Sequence, residues 1–253
     1  MKVYFIGAGP GDVELLTQKA LKVIRSADIL IYAGSLVNKD ILKLSRKGAA
    51  FYDSSKMDLG DVQKIIAGAK STKKIIARVH SGDPSIYGAT QEQMRYCKKE
   101  KIDYEVIPGV SSFCAGAASL RQELTLPGIS QTIIITRLSG RTKVPEREDL
   151  KKLSKIRATL VIFLSVDRLS EVIKNLLFGY DKDTPAAVVS RASWPDEKVI
   201  RGTLGDIDDK VKREKINRQA LIFVGDVLRG EGFLKSRLYD KAFSHSYRKG
   251  RCA

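Results

Sequence analysis

The 253-residue chain has only two histidines and three cysteines, and each scarcity argues against a class of site. Cys97, Cys114 and Cys252 are far apart and odd in number, which argues against a disulfide framework and fits a reducing cytoplasm. His80 and His245 form no ligand cluster with the cysteines, so no metal site is expected. His80 ends an apolar run and is expected to be a satisfied, partly buried histidine. No stretch approaches the roughly 18 consecutive apolar residues of a membrane helix. The opening "MKVYFIGAGPG" passes from Met straight into a strand pattern, so no signal peptide is expected. A GxxxxGK[ST] phosphate loop is missing. Acids are also in short supply: 29 Asp and Glu face 45 Lys and Arg, for a net charge of +16. That balance suits an acidic partner, either nucleic acid or a small molecule carrying several carboxylates. "KKEK" (98–101) and "DDKVKREK" (208–215) read equally as solvated helix faces. No arginine–aromatic strip for stacking bases is present, which counts against nucleic acid.

What is present is an alternation of short apolar runs and helical patterns. "VYFIGA", "ILIYAG", "IIARVH", "YEVI" and the shorter "FYD" read as strands, enriched in Ile, Val and Tyr and bounded by Gly, Pro or Asp. "TQKALKVIRSA" reads as a helix, with Ala20, Val23, Ile24 and Ala27 on one face and Thr17 as its N-cap. Strand–helix alternation predicts a mostly parallel five-stranded sheet covered on both faces. After the break at "LTLPGISQ" (124–131) a second series begins with "TIIITR", "ATLVIFLS", "PAAVVSR", "KVIRGTL" and "ALIFVG". The short loop around Trp194-Pro195 predicts a hairpin, hence a mixed second sheet. The expected organisation is two α/β domains, 1–122 and 123–235, followed by a basic tail, 236–253, draped on the surface or disordered.

Four loops then stand out: "GAGPGD" (7–12), "YAGSLV" (32–37), "SGDPSIYG" (81–88) and "PGVSS" (108–112). All follow strands, and in open α/β sheets ligands sit beyond the carboxyl ends of the strands, so a binding cleft is expected there. A structural turn would explain two of the glycines of the first loop, but three of them with Pro10 suggest close backbone approach by a ligand. A dinucleotide site does not fit. Its fingerprint needs G-x-G-x-x-G, and an acid closing the second strand about 20 residues on.

"GAGPGD" followed by "ELLTQKAL", "SGDPSIYG", "IPGVSS", "TPAAVV" and "ALIFVG" occur in an order and spacing that resemble the tetrapyrrole methyltransferases, over roughly residues 2–230. "YAGSLV", "DSSKM" (53–57) and the tail "LYDKAFSHSYRK" are most similar to the branch that methylates precorrin-4, or its cobalt complex, at C-11. The resemblance implies S-adenosylmethionine as methyl donor and S-adenosylhomocysteine as product. It implies a cofactor cleft between the two domains, a homodimer, and a tetrapyrrole partner rather than nucleic acid or membrane. Carried over position by position, it implies cofactor contacts at Pro10, Ser81, Gly82, Asp83, Ile86, Ser111 and Ser112. From the second half it implies Phe163, Leu164, Arg191, Ala192 and Ala220. Asp83 would complement the cofactor's positive charge, although an Asx turn or helix N-cap explains an aspartate there equally well. No catalytic base is assigned. Relatives acting on uroporphyrinogen III carry an acid where this chain has Gly34 and a lysine where it reads "DSS" (53–55), which implies a different tetrapyrrole. Methylation at C-17 or C-20, or of uroporphyrinogen III, stays open. So does a basic RNA-binding protein on the same fold. Part of the positive charge is expected at the rim of the first sheet, where it would grip substrate carboxylates.

Overall fold

A computed structural model describes residues 1–251, so the third cysteine, Cys252, lies outside the described residues. The contacts divide the chain into two compact units: Met1–Ser119 with Arg191–Lys198, and Leu120–Ser190 with Val199–Ala253.

The first unit carries β1 (Lys2–Gly7), β2 (Ile29–Tyr32), β3 (Ala50–Asp53), β4 (Ile75–His80) and β5 (Asp103–Ile107). They form one parallel sheet in the order β3-β2-β4-β1-β5. Alternation along the strands splits the core between the two faces. Val3, Phe5, Ile31 and Ile76 face one cluster, while Ile6, Leu30, Ala77 and Val79 face the other. Helix α1 (Gln18–Ser26) closes the second cluster with Ala20 and Ile24, and the Thr17 hydroxyl caps it by accepting from the Ala20 amide. On the opposite face, α3 (Leu59–Gly68) contributes Val62 and Ile66, and α4 (Gln91–Lys99) contributes Cys97. The remaining helices are α2 (Asp40–Lys43) and α5 (Ser112–Ser119). Every strand therefore points its carboxyl end at the same rim.

The second unit has β6 (Ile133–Arg137), β7 (Thr159–Phe163), β8 (Pro185–Ser190), β9 (Lys198–Thr203) and β10 (Ala220–Val224), in the order β6-β7-β10-β8-β9. β6 and β7 are parallel, whereas β10 runs antiparallel to β7 and β8, so the sheet is mixed. Its core is built from Leu160, Ile162, Val188 and Ile222 together with Val172 and Leu176 of α7 (Leu169–Leu176). α6 (Leu150–Ser154) and α8 (Ile207–Arg213) complete the unit. The described part of the tail holds a 3-10 turn at Arg237–Tyr239 and a bridge between His245 and Arg248. Its residues are mostly exposed. Among the described residues no helix is long and apolar enough to cross a membrane.

Candidate functional site

Three strand-end loops of the first sheet are knitted together by their own backbones. The Ala8 amide donates to the His80 carbonyl at 2.8 Å, and Gly9 and Gly82 exchange N–H···O bonds at 3.2 and 2.8 Å. The Gly109 amide donates to Asp83 Oδ2 at 2.9 Å. Asp83 Oδ1 accepts from the Ser85 amide at 2.8 Å and also from the Ser85 hydroxyl. The aspartate thus forms an Asx turn; no helix starts there, since Thr90 precedes α4. Partial burial pushes the Asp83 carboxyl up, but the Ser85 hydroxyl and the Gly109 and Ser85 amides outweigh it, holding the group below the usual carboxylate range. The site therefore contains a fixed, ionised carboxylate.

The glycines of the first loop answer to the protein itself, through close packing at Gly7 and Gly11 and through backbone conformation at Gly9. A Cβ on Gly7 would stand 2.5 Å from the Gly109 nitrogen and 2.6 Å from the Gly82 carbonyl oxygen. A Cβ on Gly11 would enter the indole of Trp194. Gly9 adopts φ +73°, the left-handed region that glycine reaches without strain. The outer two strand ends interlock in the same way: the Gly34 amide donates to Asp53 Oδ1 at 3.0 Å, and the Ser54 hydroxyl to the Tyr32 carbonyl at 3.1 Å. A Cβ on Gly34 would collide with the Asp53 carboxylate, so the residues at 34 and 53 are chosen as a pair. Hydrogen bonds from the Ser55 amide and hydroxyl lower the Asp53 pKa against the opposing effect of burial, and the Gly34 amide adds to the lowering.

The residues implied by the resemblance fall into two groups by unit. Pro10, Ser81, Gly82, Asp83, Ile86, Ser111 and Ser112 all lie at the carboxyl rim of the first sheet, and Arg191 and Ala192 open the segment that packs with that unit. Phe163, Leu164 and Ala220 lie at the same end of two neighbouring central strands of the second sheet, because β10 starts where the antiparallel β7 ends. Several residues of these loops hold left-handed backbone, as do others elsewhere in the chain, such as Lys101 and Arg157. Tyr87, Ala89, Leu164, Arg191 and Ser193 all have positive φ, between +48° and +67°. For a leucine this is a real outlier. Leu164 is also 70% exposed, an apolar side chain held out from the strand end in a costly conformation.

Sequence reading missed Arg78 altogether. It is a buried cation on β4, donating through Nε to Gln93 Oε1 at 3.0 Å and through Nη1 to the Ile31 carbonyl at 3.3 Å. Burial lowers its pKa to about 10, so it remains charged. Nothing in the local pattern marks it, because a strand with one arginine reads as half exposed. His80 needs a correction too. It is buried rather than partly so, its ring bonds the Gly88 carbonyl, and its Nε2 has no partner among the described residues. Burial, reinforced by Arg78, drops its pKa to about 3, which makes it too weak a base for proton transfer near neutral pH. The rim is also poorer in charge than expected. In the segments 8–12, 33–39, 53–57, 81–89 and 108–111 the basic residues are Lys39 and Lys56 alone. Loops closed by backbone hydrogen bonds and bare glycines favour small residues, and lysines gather on helix ends such as the last turns of α4 and α8.

The profile of the Tetrapyrrole (Corrin/Porphyrin) Methylases matches residues 2–208. The chain is 52% identical over 249 residues to the cobalt-precorrin-4 C(11)-methyltransferase of Methanocaldococcus jannaschii, covering 98% of this chain and 96% of that one. Among solved structures, a cobalt-precorrin-4 methyltransferase of cobalamin biosynthesis superimposes with a TM-score of 0.88 at 43% identity, over 90% of this chain and 95% of that chain. A uroporphyrin-III C-methyltransferase of Thermus thermophilus complexed with S-adenyl homocysteine gives 0.76 at 28% identity, over 91% and 94%. A profile match along most of the chain, a relative identical at about half of the aligned positions and a shared pair of sheets agree with one another: the chain belongs to the tetrapyrrole (corrin/porphyrin) methylase family.

Proposed function

We propose that the chain transfers a methyl group from S-adenosylmethionine to C-11 of precorrin-4 or its cobalt complex. The observation that carries this reading is the 52% identity, along 98% of the chain, to an enzyme of that name. The strained, glycine-rich strand ends support it as the place where the donor binds. The donor supplies an electrophilic methyl on a sulfonium; C-11 forms the new C–C bond, the S–CH₃ bond breaks with its electron pair left on sulfur, and the macrocycle gives up a proton. The protein's share is to hold both reactants at near-attack distance and to exclude water. In this reading Pro10, Ser81, Gly82, Asp83, Ile86, Ser111, Ser112, Arg191 and Ala192 bind the donor on the first unit. Phe163, Leu164 and Ala220 bind it on the second. Asp83, ionised and fixed by three hydrogen bonds, offers its negative charge to the donor's cationic end. Leu164 offers an apolar surface suited to an adenine ring.

The test is purified protein incubated with methyl-labelled S-adenosylmethionine and each tetrapyrrole in turn, followed by mapping of the labelled carbon. Label at C-11 is the expected result. Label at C-17, at C-20 or on uroporphyrinogen III would move the reading to a sibling reaction. Label appearing only on RNA would replace it. A homodimer in the cytoplasm belongs to the same reading. Sedimentation at micromolar concentration should then give twice the chain mass of 28.0 kDa, and a monomer would remove the dimer.

A further inference from the structure

The single tryptophan of the chain sits in the segment Arg191–Lys198, which runs between β8 and β9 yet packs with the first unit. The Trp194 indole N–H donates to the Pro10 carbonyl at 2.8 Å, and the ring lies against Gly11 with no room for a side chain there. Its neighbour Ser193 accepts from the Asp12 amide through Oγ at 3.0 Å. Two consecutive residues of the segment thus hold three consecutive residues of the first loop. From the other side, Asn38 donates to the Gly11 carbonyl at 2.9 Å.

The segment is itself firmly placed. The Arg191 guanidinium stacks 4.1 Å from the Trp194 ring centroid and donates to Asp196 at 2.7 Å. Glu197 accepts from the Ser193 amide at 2.6 Å and from the Ser119 hydroxyl at 2.8 Å. Arg191 and Ser193 hold φ of +50° and +67° on either side of Ala192. Residues in this region persist only where their surroundings over-determine them. Here the surroundings deliver Ser193 and Trp194 to the first loop.

We propose that Trp194 is a positioning residue for donor binding. By fixing the Pro10 carbonyl it sets the backbone of residues 9–12, and it ties that loop mechanically to Arg191 and Ala192. The inference rests on the reading above, in which Pro10, Arg191 and Ala192 contact S-adenosylmethionine. The proline ring already fixes φ, so a hydrogen bond on its carbonyl fixes the remaining torsion, ψ. Trp194 grips the loop and not the reacting atoms. Its loss should therefore appear in donor affinity and leave the methyl-transfer step alone.

Trp194→Phe keeps the ring against Gly11 and beneath Arg191 and removes only the N–H donor. In this variant the Kd for S-adenosylhomocysteine and the KM for S-adenosylmethionine should rise together about tenfold, equivalent to about 1.4 kcal/mol. The kcat at saturating donor should stay within about twofold, because the loop is re-formed once the donor is bound. In the wild-type protein, indole emission should shift as S-adenosylhomocysteine is added and saturate at the calorimetric Kd. A purely structural tryptophan would lower the melting temperature without that split or that signal. Unchanged affinity in folded Trp194→Phe, a fall in kcat at unchanged KM, or emission indifferent to bound S-adenosylhomocysteine would each overturn the inference. Should Trp194→Phe fail to fold, Ser193→Ala removes only the contact to the Asp12 amide. It should raise the same Kd about threefold, in line with one modest hydrogen bond, and an unchanged value overturns the inference. Absence of S-adenosylhomocysteine binding by the wild-type protein is the separate sign that the donor reading is wrong, and it takes the inference with it.

Discussion

A Gly82→Leu protein is expected to stay folded and to lose affinity for S-adenosylhomocysteine by about a hundredfold or more, a change that calorimetry reads directly. The bridge between Gly9 and Gly82 uses only N–H and C=O groups, which leucine also possesses. Gly82 has φ +62°, so a side chain there costs about 1–2 kcal/mol of strain. Its Cβ would meet only ordinary contacts, 3.5 Å from the Ser112 nitrogen and 3.6 Å from the Ser111 Cα. The fold can absorb both effects. The rest of the leucine would occupy the space beside Ser111 and Ser112, which the proposed donor also needs. Unchanged affinity in a folded Gly82→Leu protein would show that the donor lies elsewhere.

Gly7→Ala should do the opposite, damaging the fold before it damages any ligand. The added methyl would stand 2.5 Å from the Gly109 nitrogen and 2.6 Å from the Gly82 carbonyl oxygen, both in the loops that follow the strands flanking β1. These are backbone atoms of loops held by the Gly9–Gly82 bridge and by the Gly109 amide on Asp83, which leaves them little freedom to give way. Such overpacking is expected to cost about 3 kcal/mol, lowering the melting temperature by ~10 °C in a chain of this size. Gly68→Ala is the control, because its Cβ would meet nothing within 4 Å. Thermal unfolding that does not separate the two variants would refute the crowding at Gly7.

Much of this architecture was legible along the chain because it is local. Strand periodicity, the Thr17 cap and the break at Pro127-Gly128 each depend on residues within a few positions of one another. The mixed character of the second sheet followed from one short connection between two strand patterns. The family was legible for another reason: several loop motifs in a fixed order carry more information than any one of them. What escaped was long-range. Gly7 and Gly11 look like glycines that make way for a ligand, and only the folded chain shows Gly109 and Trp194 in those places. The Gly34–Asp53 pair joins two loops whose partnership no periodicity encodes. Arg78 and His80 sit in a strand of otherwise apolar residues, and their burial depends on α4 and on the loop after β4. The segment 191–198 reads as a turn between strands, and nothing in its sequence names the unit it packs with.

The placement of that segment has a consequence for how the chain is made. On a ribosome residues 1–119 emerge first, with all five strands of the parallel sheet, yet the groups that hold Pro10 and Asp12 are still 184 and 181 residues away along the message. Strands β6, β7 and β8 must be synthesised before Trp194 appears. Until Trp194 appears, the first loop has its Gly9–Gly82 bridge and the Asn38 contact but lacks the partners of the Pro10 carbonyl and the Asp12 amide. Its completion is a late, non-local closure of the slow kind, and not an early local event.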